Sequence, residues 1–143
     1  MKDWRNEMQV LPIGKGKKLR DGDDIAVLSI GPIGNEVIKA IEMVKEAGVS
    51  IAHYDMIYLK PLDEELLHEI GQKYNRIITV ENGVIKGGFG SAVLEFMADN
   101  GYTPHVKRIG VPDAFIEHGS IPELYQLCGM DAESIAKQLK KEN

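Results

Sequence analysis

Short apolar runs alternate with segments of helical periodicity along most of the chain, and this alternation limits the fold more than any other feature. Residues 25–30, IAVLSI, form an unbroken apolar run between Asp23-Asp24 and Gly31-Pro32, the pattern of a buried strand. From 33 to 47 the apolar residues Val37, Ile38, Ile41, Val44 and Ala47 recur at the spacing of one helix face, and Gly48 follows as a stop. The same succession predicts a strand over 49–55, a helix over 63–74 with Asp63 as N-cap, a strand over 76–81, a helix over 91–100 and a strand over 105–110. Two short helices, 121–127 and 131–140, close the chain, the second with Asp131 as N-cap and Lys137 near the negative end of its dipole. Parallel neighbours need crossover connections, so the fold class is α/β, an open and mainly parallel sheet covered on both faces. Residues 16–20 are available for an edge strand, where Lys17 and Lys18 discourage further pairing.

Charge and composition remove several function classes. Seventeen basic against 22 acidic residues give a net charge of −5, which offers no attraction to nucleic acid or to anionic lipid. The local basic cluster of Lys15, Lys17, Lys18 and Arg20 is followed at once by Asp21, Asp23 and Asp24, the pattern of a solvated turn. No apolar stretch approaches the ~20 residues of a membrane span, and the opening MKDWRNEM lacks the apolar region of a signal peptide, so the expected compartment is the cytoplasm. The lone cysteine, Cys128, excludes an internal disulfide and reads as small core filler. His53, His68, His105 and His118 lack any metal-ligand spacing.

Ligands of open α/β sheets collect at the carboxyl ends of the strands. The most distinctive such end is ENGVIKGGFGSAV, residues 81–93, a strand end followed by a glycine-rich turn and a helix. Two readings fit Glu81, Asn82, Gly87, Gly88, Gly90 and Ser91. In one, the backbone amides opening the helix bind a phosphorylated ligand. In the other, Glu81 or Asn82 satisfies those amides internally and the glycines permit close packing. The dinucleotide fingerprint is not met, since Val93 stands where glycine or alanine is required, and no P-loop pattern occurs. A second stretch, VPDAFIEHG, holds Asp113, Glu117 and His118, an acid–base set in principle, but Pro112 and Gly119 bracket it as turn residues do.

Four stretches in this order resemble one family: LPIGKGKKLRDGD (11–23), DMIYLKPLDEELL (55–67), VENGVIKGGFGSAVLE (80–95) and IGVPDAFIEHG (109–119). They are similar to the C-terminal domain of the 1-deoxy-D-xylulose-5-phosphate synthases, and the last two are the specific ones. Related domains occur in transketolases and in the beta subunits of 2-oxo acid dehydrogenases. The resemblance covers the chain from about residue 2 to its end, with residues 1–9 as a tail or linker from a preceding domain and 10–143 as the domain. It implies a three-layer α/β/α mixed sheet of about five strands with the first antiparallel. It also implies a full-length enzyme that condenses pyruvate with glyceraldehyde 3-phosphate, losing carbon dioxide, for isoprenoid, thiamine and pyridoxal synthesis.

Thiamine diphosphate and Mg2+ are implied for that full-length enzyme, both held by the preceding domains. Neither cofactor nor any catalytic or metal-binding residue carries over onto this chain. The implied partners are the preceding catalytic domains and a second copy in a homodimer, with Asp113, Phe115, Ile116 and His118 as the candidate interface loop and Phe89 as a further surface contact. Two departures stand out: Ile57-Tyr58 where many members carry Arg-Phe, and Val80-Glu81-Asn82-Gly83 where many carry Val-Glu-Glu-Asn. The alternative role is a stand-alone module that binds a phosphorylated ligand or assembles subunits.

Overall fold

The computed structural model describes residues 10–140. Five strands form one sheet in the order β1-β3-β2-β4-β5. They are β1 (Lys17–Arg20), β2 (Ile25–Ile30), β3 (Ile51–Asp55), β4 (Arg76–Val84) and β5 (His105–Val111). β1 pairs antiparallel with β3, and every other neighbouring pair is parallel. The mixed sheet with an antiparallel first strand is the one that the resemblance implied.

The two-residue period of each strand divides the core. Ile25 and Val27 of β2 and Ile78 and Val80 of β4 point toward α1 (Gly34–Met43) and α5 (Ala132–Leu139). Ala26, Leu28 and Ile77 point the other way, toward α2 (Glu64–Lys73) and α3 (Phe89–Asp99). A short α4 (Ile121–Leu127) lies between β5 and α5. Its Ser120 and Glu123 form a capping box, and Pro122 occupies the first turn, where a missing N–H is no loss.

Asp63 caps α2, as its position predicts, by accepting from Leu66 N at 3.2 Å, and its second oxygen accepts from Gly16 N at 2.9 Å. One carboxylate thus starts a helix and anchors the strand β1. Three of the four residues of the basic cluster form ion pairs, Lys15 with Glu65 and Asp63, Lys18 with Asp21 at 2.6 Å and Arg20 with Glu42 at 3.0 Å.

Of the boundaries that differ from the periodic reading, three bear on the core and the site. The first helix stops at Met43, and a 3-10 turn (Lys45–Ala47) carries the chain to Gly48, whose φ of 68° ends it. β4 runs three residues past Glu81, because after an irregularity Val84 pairs with Val111. α3 begins at Phe89 and not at Ser91, which turns Phe89 inward; it is 1% exposed and belongs to the core, not to a surface contact. The expected tail, residues 1–9, lies outside the described residues.

His53 sits inside the sheet, 1% exposed, with Nε2 2.8 Å from Ser29 Oγ on the neighbouring strand. Burial pushes its pKa down from 6.5 to about 4, because the charged imidazolium loses its water. In the folded protein the neutral form is therefore favoured, and stability from this residue is full above pH 6.5 and lost as pH falls from there toward 4. The span corresponds to roughly 3 kcal/mol at about 1.4 kcal/mol per pKa unit. Urea denaturation at pH 7, 5.5 and 4.5 is expected to show a steeper loss of stability for this chain than for a His53→Gln variant. Parallel curves would contradict a neutral buried histidine.

Candidate functional site

At the carboxyl end of β4, alternation places Thr79 and Glu81 on the α3 side of the sheet, opposite Ile78 and Val80. Glu81 is 5% exposed, and its two carboxylate oxygens accept from the first two amides of α3, Oε2 from Phe89 N at 2.8 Å and Oε1 from Gly90 N at 2.9 Å. Both bonds are charge-assisted and both amides lack a partner within the helix, so one carboxylate neutralises the positive end of the dipole. Of the two readings left open by the sequence, the internal cap is the one found, and Glu81 supplies it. Asn82 does not; it is exposed at the mouth of an apolar cleft of about 250 Å3 formed with Val111, Ile116, Ile121, Leu124 and Tyr125.

The glycines explain themselves by distance. A Cβ on Gly88 would stand 2.2 Å from Glu81 Oε2, and one on Gly90 2.5 Å from Thr79 Oγ1. Any side chain at either position would drive the carboxylate or the strand away from the helix. Gly87 has a φ of 74°, the left-handed region that L side chains rarely adopt. Ser91 closes the loop: its hydroxyl accepts from Gly87 N at 3.0 Å and donates to Ile85 O at 3.3 Å.

Arg108 of β5 completes the arrangement and was not singled out by the sequence reading. Its guanidinium donates to Ile85 O at 2.8 Å and to Ser91 Oγ at 2.9 Å. The signal was available in the alternation of 105–110, which sets Arg108 on the face opposite the buried Ile109. Thr79 Oγ1 is the one polar atom of the site left buried without a partner.

The loop 112–120 does not assemble an acid–base centre. Asp113 pairs with Lys86 at 3.1 Å, while Glu117 and His118 are exposed and no hydrogen bond or ion pair joins the three side chains. Phe115 is fully exposed, and Ile116 is half-buried in the wall of the apolar cleft. Cys128 lines the same cleft, half-buried, and packs against the core from there.

The sequence model of the family described as transketolase, C-terminal domain, matches residues 14–135. The chain belongs to this family. Among relatives of this transketolase C-terminal domain, the 1-deoxy-D-xylulose-5-phosphate synthase of Parabacteroides distasonis is 99% identical over 143 residues, which is 100% of this chain and 23% of that protein. The synthase of Bacteroides thetaiotaomicron is 61% identical over 141 residues, 98% of this chain and 22% of its own length. The chain therefore spans less than a quarter of the curated relatives it matches, and the resemblance read from its four stretches is borne out.

Among solved structures, a chain described as a split gene transketolase, inactive beta4 tetramer, superposes with a TM-score of 0.80 at 30% identity, covering 92% of this chain and 45% of its own. A transketolase of Campylobacter jejuni superposes with a TM-score of 0.64 at 13% identity, over 87% of this chain and 18% of its own, and shares the fold.

Thiamine diphosphate with Mg2+, the cofactor set of the family resemblance, needs free backbone donors for phosphate and a cluster of oxygen ligands for the metal. In this transketolase C-terminal domain the α3 amides are already bonded to Glu81, whose own negative charge opposes an anion there. Among the described residues no group of three or more His, Cys, Asp or Glu side chains is placed to hold a metal ion. The residues present do not fit the cofactor.

Glu81→Ala removes two charge-assisted bonds and strands two buried amides, with an expected loss of about 2–4 kcal/mol in a denaturant titration. Glu81→Gln keeps one acceptor and is expected to lose less, about 1–2 kcal/mol. Gly88→Ala should resemble Glu81→Ala, because the new Cβ displaces the carboxylate; a neutral Gly88→Ala would contradict the packing described. Thr79→Val, which deletes the unpartnered hydroxyl at nearly constant volume, is expected to raise stability by about 1 kcal/mol.

Proposed function

We propose that the chain acts as the non-catalytic C-terminal domain of a 1-deoxy-D-xylulose-5-phosphate synthase. In the full-length form that enzyme condenses pyruvate with glyceraldehyde 3-phosphate, releasing carbon dioxide, to give 1-deoxy-D-xylulose 5-phosphate for isoprenoid, thiamine and pyridoxal synthesis. Thiamine diphosphate and Mg2+ belong, in this reading, to the preceding domains, and the whole protein is a thiamine-diphosphate-dependent transferase working in the cytoplasm. Among the described residues no helix is long and apolar enough to cross a membrane.

The observation that carries the non-catalytic role is the bidentate bond of Glu81 to Phe89 and Gly90. The place at the carboxyl end of the sheet where a phosphate would be bound is filled by the protein's own carboxylate, so the glycine loop serves packing. The domain's contribution to the enzyme is then assembly: it packs against the preceding catalytic domains and supports a homodimer.

Isothermal titration tests this reading. The 143-residue chain is expected to release no heat with thiamine diphosphate and Mg2+ and, in a separate assay, to liberate no carbon dioxide from pyruvate with glyceraldehyde 3-phosphate, whereas the full-length Parabacteroides distasonis relative is expected to do both. Cofactor binding or decarboxylation by the chain alone would overturn it.

A further inference from the structure

Eleven large apolar side chains are exposed among the described residues, and their distribution is uneven. Eight lie on segments at the carboxyl-end rim of the parallel strands: three within residues 10–13 before β1, Leu59 after β3, Val84 at the end of β4, and Phe115, Ile121 and Leu127 beyond β5. Leu19 and Ile38 instead flank the groove beside His53, and Met43 alone is exposed at the amino-end rim. Scattered exposed apolar residues need no explanation, but a concentration of this kind at one end of a sheet marks a surface that is covered in the working molecule.

The same rim carries the relief that a partner surface would fill. The stretch around Phe115 separates two clefts, one of about 250 Å3 between α4 and the ends of β4 and β5, the other of about 260 Å3 beside Val84 and Pro112. Phe115 itself touches neither core cluster and stands wholly in solvent. An aromatic ring in such a position loses the most water on docking and is the kind of side chain that anchors an interface.

We infer that this carboxyl-end rim is the docking face for the rest of the longer polypeptide, with Phe115 as its central anchor. The inference rests on the reading of the chain as one domain of a synthase. Two observations select this occupant. The chain accounts for 23% of its 99% identical relative, so more than three quarters of that protein lies outside it and needs a contact surface. Residues 10–13 are themselves part of the rim and turn into β1 at Gly14, which packs on Pro61, so the polypeptide enters the fold across this face and not across the opposite one.

The test uses the full-length Parabacteroides distasonis relative with a benzophenone amino acid at Phe115 and, as control, at Met43. Subunits of natural and heavy isotopic composition are mixed, irradiated and digested. Crosslinks from position 115 to peptides outside the region equivalent to this chain, with none from position 43, are the expected result. Crosslinks from 115 confined to the same rim of a second copy, or none from 115 at all, would overturn the inference.

Hydroxyl-radical footprinting of the unsubstituted enzyme guards against a variant that fails to fold: oxidation of Phe115 is expected to drop to the level of buried Phe89. Oxidation at the rate of the urea-unfolded enzyme would refute the docking. Turnover of pyruvate and glyceraldehyde 3-phosphate by the same preparation separates the two claims. A preparation that makes no product contradicts the synthase reading, and a productive enzyme with an exposed Phe115 contradicts only the docking face.

Discussion

The bond between the Glu81 carboxylate and the first two amides of α3 organises the carboxyl end of this domain. It joins the interior strand β4 to the helix that covers it, and it does so with a buried charge, which is stable only where its partners are fixed. Everything nearby follows from that requirement. Gly88 and Gly90 must lack side chains for the carboxylate and Thr79 to fit, Ser91 must tie the loop to Ile85, and Arg108 must hold both from the next strand. The glycine-rich sequence that looks most like a ligand loop is thus the geometric consequence of an internal cap.

That consequence reaches function. In open α/β sheets the carboxyl end is where ligands bind, and a domain that fills its best anion site with its own carboxylate has turned this end to another use. The exposed side chains on the same rim are apolar, and clefts there are walled by Val, Ile, Leu and Phe, which suits a protein surface better than a phosphate. The chain belongs to the transketolase C-terminal domain family and spans less than a quarter of the relatives' length, and the proposed role is that of one part of a longer protein.

Much of this was legible in the sequence. Apolar runs of five or six residues against helices of period 3.6 gave the strands and their crossovers, and Asp63 and Asp131 marked their helices because a short acidic side chain can reach the N3 amide. Helix limits were less legible: Val44 continues the apolar period but adopts a ψ of 10°, outside helical geometry, so the helix gives way to a 3-10 turn. Phe89 was read as surface because the helix starts two residues before the point that its periodicity suggests. The choice between ligand and internal cap at 81–91 was not decidable from residue types, since both need glycines and free amides; the reach of the Glu81 side chain decides it. Arg108 and the buried pair of His53 with Ser29 depend on which strands are neighbours, and strand order is set by tertiary packing, not by local pattern.

Native-state hydrogen exchange of the Phe89 and Gly90 amides, followed by NMR with and without inorganic phosphate, tests the central claim most directly. Held by a buried carboxylate, both amides should exchange only through global unfolding and at rates that phosphate leaves unchanged. Fast exchange that slows when phosphate is added would show an open helix end and an anion site, and would contradict the account.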